Sequence, residues 1–198
     1  VWKKGYDYAL QAVNCLTDAG VHCEYRIVGD GEYFEAVLCA RSQLKLEHAV
    51  HFLRGQPHAK VREQLLWADV FLHAAVSEGF CNAVLEAQAM GLPVVCTDAD
   101  GLSENVSNGE TGFVVPWRDP QALAEKLIVL TRDAALRRRF SRAGRHRAQT
   151  RFRLEDQISA FDRLYQRLST LDVWQQKLWT LVPFGHDVLH YLIESINL

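Results

Sequence analysis

Residues 69–97 read DVFLHAAVSEGFCNAVLEAQAMGLPVVCT, and this stretch decides the fold. It opens on one apolar run, Val70-Phe71-Leu72, and closes on another, Val94-Val95-Cys96. Neither alternates with polar residues, as a strand with one wet face does; a strand buried on both faces reads this way. Between them, Cys81 to Met90 has the composition and spacing of a helix. Gly91 suits the residue that closes such a helix, and Pro93 forbids its continuation. Strand, helix and strand in this order predict two parallel strands joined by a crossover.

The same alternation extends outward in both directions. Upstream, helices are predicted over Tyr6–Thr17, Glu32–Leu46 and His58–Trp67, with strands over Cys23–Val28 and Ala49–Leu53. Downstream comes a short strand, Phe113–Val115, then helices over Pro120–Thr131, Ala134–Gln149 and Leu154–Leu168. Strands interleaved with helices predict a doubly wound α/β domain, its parallel sheet covered by helices on both faces. Ligands of such sheets bind beyond the carboxyl ends of the strands. The segments Gly29-Asp30-Gly31, Arg54-Gly55-Gln56, Ala74–Gly79 and Asp98–Gly101 each follow a strand and so belong on one rim. After about Ser169 the pattern changes to a tail with Trp174, Trp179, Phe184 and Tyr191, read as two short amphipathic helices. The domain therefore spans residues 1–168 and the helical tail 169–198.

Composition narrows the function. The 198 residues are 48% apolar and 23% charged, enough for a packed core. A net charge of −2 argues against nucleic-acid binding, which needs a basic excess. Five cysteines, an odd number with no CxxC pair, predict free thiols in a reducing, cytoplasmic compartment. No run is long and apolar enough to span a bilayer. The chain opens abruptly on Val1, close to a helix, which is expected of a piece with further chain upstream.

Within EGFCNAVLE (78–86), two carboxylates bracket a helix start. A helix N-terminus offers unpaired N–H groups and partial positive charge, which suits a phosphate. Ionised carboxylates accept hydrogen bonds well from hydroxyls. Gly79 would allow close backbone approach or an unusual φ. The residues alone leave a second reading open, in which Glu78 and Glu86 are ordinary surface acids.

Residues 76–115 resemble the donor-binding half of the family-4 (group 1) glycosyltransferases, enzymes of the GT-B fold. The resemblance rests on the paired glutamates Glu78 and Glu86 and on the continuation AQAMGLPVVCTDADGLSENVSNGETGFVV. It extends back through ADVFLHAAVSEGF, VHFLRGQPHAKVREQLLWADV, IVGDGEYFEAV and KKGYDYALQAV, and forward to about residue 168. It implies a Rossmann-like domain, one of the two that face each other in GT-B enzymes. The partner domain, which would bind the acceptor, is expected to be missing here, as are the family's first strand and its phosphate-binding arginine.

The resemblance implies catalytic roles for Glu78, facing the donor sugar, and for Lys4, neutralising the diphosphate. It assigns the ribose hydroxyls to Glu86 and the sugar and phosphates to Gly79, Phe80, Cys81 and Asn82. Gly29 and Asp30 would shape the nucleotide rim, and Arg54 and Gly55 would meet the base, although here the family's F-L-G reads FLRG. It implies retention, a nucleoside-diphosphate sugar as donor and no metal cofactor; Asp98-Ala99-Asp100 reads as a loop and not as a metal-binding pair. The activity expected of the whole enzyme is hexose transfer in polysaccharide or glycolipid synthesis, with negligible transfer by this chain alone. The alternatives are a non-catalytic nucleotide-sugar module and half of a GT-B epimerase.

Three further features stand out, and only the last of them keeps two readings. Glu104 fits an acid at the start of a short helix. His73 reads as a satisfied rim histidine. The arginines 137, 138, 139, 142, 145 and 147 are either a solvated helix face or a peripheral contact with anionic lipid at the inner membrane face.

Overall fold

The computed structural model describes residues 2–170. The tail aromatics Trp174, Trp179, Phe184 and Tyr191 lie outside the described residues. A 3-10 turn, Trp2–Lys4, leads into α1 (Tyr6–Asp18), β1 (Tyr25–Val28), α2 (Phe34–Gln43), β2 (Val50–Arg54), α3 (His58–Trp67) and β3 (Phe71–His73). There follow α4 (Asn82–Ala89), β4 (Val94–Thr97), α5 (Leu102–Asn105), β5 (Gly112–Val115), α6 (Pro120–Arg132), α7 (Ala134–Arg151) and α8 (Leu154–Thr170). Each strand and helix predicted before residue 169 is present, with ends that shift by a few residues, and the two helices expected in the tail lie outside the described residues.

All ladders among the described residues are parallel, and they form two groups. β1 pairs with β2, and β3, β4 and β5 pair in that order. The single sheet expected from the alternation is thus divided, because no described ladder joins β1 to β3. β4, flanked on both sides, is fully buried. Val95 packs into one apolar cluster with α6 and Phe140, and Val94 and Cys96 pack into another with Val84 and Leu102. β3, which has one ladder partner, is only half-buried.

Helix α1 serves both groups. Its Ala9, Ala12 and Leu16 join the cluster around Val95, Leu123 and Phe140. Its Leu10 and Val13 join Ile27, Val37, Leu46 and Val50 over the β1–β2 pair. Each buried leucine, valine or isoleucine among these contributes about 1.5–3 kcal/mol. Helix α4 ends as predicted, with Gly91 in the left-handed region at φ 84° and its N–H on the Gln88 carbonyl.

The basic stretch proves to be α7, and three of its arginines are engaged with helix ends. Arg137 caps the Leu130 and Thr131 carbonyls of α6. Arg145 donates to the Met90 carbonyl after α4, and Arg147 to the Glu104 and Asn105 carbonyls of α5. Guanidinium groups at helix C-termini oppose the macrodipole as well as satisfying carbonyls. By packing, the chain divides into two units, residues 1–151 and 152–198. In the second unit α8 has an exposed apolar row, Leu154, Ile158, Phe161 and Tyr165. No described helix is long and apolar enough to cross a membrane.

The cysteines are free, and their burial predicts their reactivity. Cys96 has no exposed surface, and burial pushes its thiol up to about 12. Cys39 is exposed. Iodoacetamide at pH 8 is therefore expected to label Cys39 first and to spare Cys96 until the protein unfolds, as read by peptide mass spectrometry. Early labelling of Cys96 would contradict the buried β4.

Candidate functional site

The site is assembled at the carboxyl end of β3. The segment before α1 is tied there by a hydrogen bond from the Val76 N–H to the Lys3 carbonyl, 2.8 Å. Gly5, at φ 62°, turns the chain into α1 so closely that a Cβ would stand 1.9 Å from the Ala74 oxygen. This turn carries Lys4 over the strand end, where its Nζ donates to Glu78 Oε2 although 74 residues separate the two. His73, the last residue of β3, places Nε2 3.2 Å from the same oxygen.

The electrostatics follow. Burial works to raise the Glu78 pKa, but the hydrogen bonds from Lys4 and His73 outweigh it and hold the carboxyl below its ordinary value. Burial likewise works to lower the Lys4 pKa, and Glu78 reverses this. His73 is pushed down chiefly by burial, so its ring is neutral near pH 7 and can donate Nε2–H to Glu78.

Two polar side chains hold the loop from behind. Asp100 Oδ2 accepts the Glu78 N–H at 3.2 Å, and the Gly101 N–H donates to the Glu78 carbonyl at 2.9 Å. Asp98 Oδ1 accepts the Trp117 N–H, so both acids of Asp98-Ala99-Asp100 have structural partners. Asn105 is fully buried; its Oδ1 accepts the Cys81 N–H at 3.0 Å, and its Nδ2 donates to the Cys81 carbonyl at 3.2 Å. Gln88 Nε2 in turn donates to the Asn105 carbonyl. The start of α4 is thus pinned from the protein side.

These contacts refine what each predicted residue can offer. The Cys81 N–H is already taken by Asn105, and the residue is buried, so phosphate would meet the amides beyond it. Gly79 has no positive φ and open space beside it; the tight approach falls on Gly101, whose Cβ would stand 2.8 Å from the Gly79 oxygen. Phe80 and Asn82 are exposed at the helix start. Glu86 is exposed on α4, and no described side-chain hydrogen bond or ion pair holds it.

Across the rim, the Gly29 N–H donates to the Arg54 carbonyl, and the Arg54 guanidinium meets Asp30 at 3.2 Å and lies 3.9 Å over the Phe34 ring. Both Gly29, at φ 142°, and Arg54, at φ 60°, have positive φ. Lys4, Gly29, Asp30 and Tyr33 line a common cavity of about 170 Å³. Gly55 follows in the exposed loop after β2. The structure therefore joins Lys4 to Glu78 on one side and to Gly29 and Asp30 on the other. His73, Asp100 and Asn105 complete the site, and no sequence periodicity singled them out for it.

With this arrangement in view, the comparisons decide the family: residues 1–147 match the model of glycosyl transferases group 1. The chain belongs to that family. Among group 1 relatives, phosphatidyl-myo-inositol mannosyltransferase of Mycobacterium leprae is 31% identical over 169 residues, covering 85% of this chain and 44% of the relative. Sucrose-phosphate synthase from Thermosynechococcus elongatus superposes with a TM-score of 0.78 at 25% identity, covering 85% of this chain and 43% of that one. Anabaena Alr3699/HepE in complex with UDP-glucose gives 0.73 at 24% identity, covering 86% and 46%. The chain spans less than half the length of the curated relatives it matches. The group 1 fold, an α/β domain with parallel strands between helices, is what the alternation in the sequence predicted.

Proposed function

We propose that this domain binds the donor of a retaining glycosyltransferase, which moves a hexose from a nucleoside-diphosphate sugar to an acceptor hydroxyl in polysaccharide or glycolipid synthesis. The observation that carries this reading is the meeting of Lys4, Glu78 and His73 at the mouth of α4, in a chain of the group 1 family. The Anabaena relative of the same fold is a complex with UDP-glucose, and a donor of that class suits this rim.

In this reading the diphosphate lies at the start of α4, where first-turn amides and the helix dipole favour negative charge. Lys4 adds a point charge to the leaving phosphate, and the charge that develops there is met by these protein groups. Glu78 turns from Lys4 to the sugar hydroxyls, and Glu86 takes the ribose. The bond from the anomeric carbon to phosphate oxygen breaks, a bond to the acceptor oxygen forms on the same face, and the acceptor proton passes to the leaving phosphate. Cytoplasmic location and an acceptor-binding partner domain belong to the same proposal.

Thermal shift against a panel of UDP, GDP and ADP sugars tests it directly. At least one donor is expected to stabilise the chain, because a ligand bound only by the native state raises its stability. No stabilisation by any of them would sink the reading. Glu86→Gln is expected to weaken binding of the successful donor about tenfold while leaving the unliganded midpoint unchanged, since Glu86 is exposed. Equal affinity would remove Glu86 from the ribose site.

A further inference from the structure

His73, Glu78 and Cys81 offer an imidazole nitrogen, a carboxylate oxygen and a sulfur that all lie within 4.8 Å of one another. Nε2 of His73 is 3.2 Å from Glu78 Oε2 and 3.6 Å from Cys81 Sγ. In a tetrahedral zinc site, with bonds of about 2.0 Å to nitrogen or oxygen and about 2.3 Å to sulfur, neighbouring ligand atoms stand about 3.3–3.6 Å apart. Two of the three edges already lie within about 0.1 Å of that range, and the third is under 4.8 Å. All three residues stand on fixed backbone: His73 in the β3–β4 ladder, Glu78 held through its amide by Asp100, and Cys81 clamped by Asn105. In the reaction proposed above neither the thiol nor the imidazole makes or breaks a bond, and His73 only donates to Glu78.

We propose that His73, Glu78 and Cys81 bind a borderline-soft divalent cation, zinc above all, and that the ion displaces the Lys4 ammonium from Glu78. Neutral imidazole, carboxylate and thiolate together cancel the charge of the ion, the thiol proton passing to solvent and a water filling the fourth position. A mixed nitrogen, sulfur and oxygen set selects zinc or cobalt over magnesium and calcium, which want oxygen alone. Two cations cannot share Glu78 Oε2 at close range, so Lys4, whose side chain is 42% exposed, swings out to water. Zinc binding and the Lys4–Glu78 pair are therefore mutually exclusive. Resting further on the donor reading, zinc also competes with the nucleotide sugar for Glu78 and silences the site.

Cobalt(II) titration of the 198-residue chain reads the site through thiolate-to-cobalt charge transfer and tetrahedral d–d absorption. Stoichiometric bands are expected, with zinc displacing them and magnesium failing to. Cys81→Ser should abolish the charge-transfer band, and His73→Ala should weaken the d–d bands. Cys39→Ser should change neither. Circular dichroism verifies that each variant is folded. Lys4→Ala should bind zinc roughly tenfold more tightly, because a competing charge is gone. Absence of bands, their persistence in folded Cys81→Ser, or zinc affinity unaltered in Lys4→Ala would each overturn the proposal. Measured separately, zinc that binds with intact bands yet leaves donor affinity unaffected overturns only the use of Glu78 for the donor.

Discussion

Replacing Asn105 by alanine is expected to lower the thermal midpoint by roughly 6–12 °C, a loss of about 3 kcal/mol in a chain of this size. Asn105 is fully buried, and its amide answers both the N–H and the carbonyl of Cys81. The truncation leaves the Cys81 N–H without a partner in a dry place, at about 1–3 kcal/mol, takes one of two donors from the Cys81 carbonyl, which keeps the Leu85 N–H, and adds a small cavity. The damage falls on the first residue before α4, so donor affinity should drop as well. A midpoint within a degree of the parent would show that the Cys81 peptide is satisfied by other means.

Gly5→Ala is expected to cost at least as much and to reveal how Lys4 is placed. The left-handed conformation alone costs a residue with a Cβ about 1–2 kcal/mol. Here that Cβ would also stand 1.9 Å from the Ala74 oxygen, a backbone atom that cannot step aside. The segment before α1 must lift, breaking the Lys3–Val76 hydrogen bond and drawing Lys4 away from Glu78. Both the midpoint and donor affinity should fall. Lys4→Ala separates the two effects: the pair is partly exposed and contributes within about 1 kcal/mol to stability, so only affinity should suffer. Loss of stability in Gly5→Ala with donor affinity intact would mean that Lys4 does not serve the phosphates.

Much of this was legible in the sequence because it rests on local pattern. VVC at 94–96 reads as a strand wet on neither face, and its two faces feed two separate clusters. Gly91 and Pro93 mark the end of α4, since only particular residues fit there. The site residues Lys4 and Glu78 came from resemblance, and tertiary structure joins them. What stayed hidden depends on partners far apart in the chain. The role of Asn105 exists only because Cys81 lies opposite it, and an isolated asparagine in a loop-like stretch gives no periodic signal. In the sequence the arginines of α7 read as a solvated face or a lipid contact, whereas three of them meet helix carbonyls, acceptors that every sequence has and none displays. The division of the sheet was equally invisible, because alternation predicts strands but not which edges meet.

That division makes the width of the site a property of the core. Glu78 follows the β3 group, Gly29 and Asp30 follow the β1–β2 pair, and α1 packs its two flanks against both. The helix acts as a spacer whose thickness is set by Ala9 and Ala12 on one flank and Leu10 and Val13 on the other. A single added methylene at Ala12 would push the two walls of the rim apart without touching any ligand. The breadth of donor such a domain admits can therefore drift through core volume alone, while Lys4, Glu78 and Asp30 stay as they are.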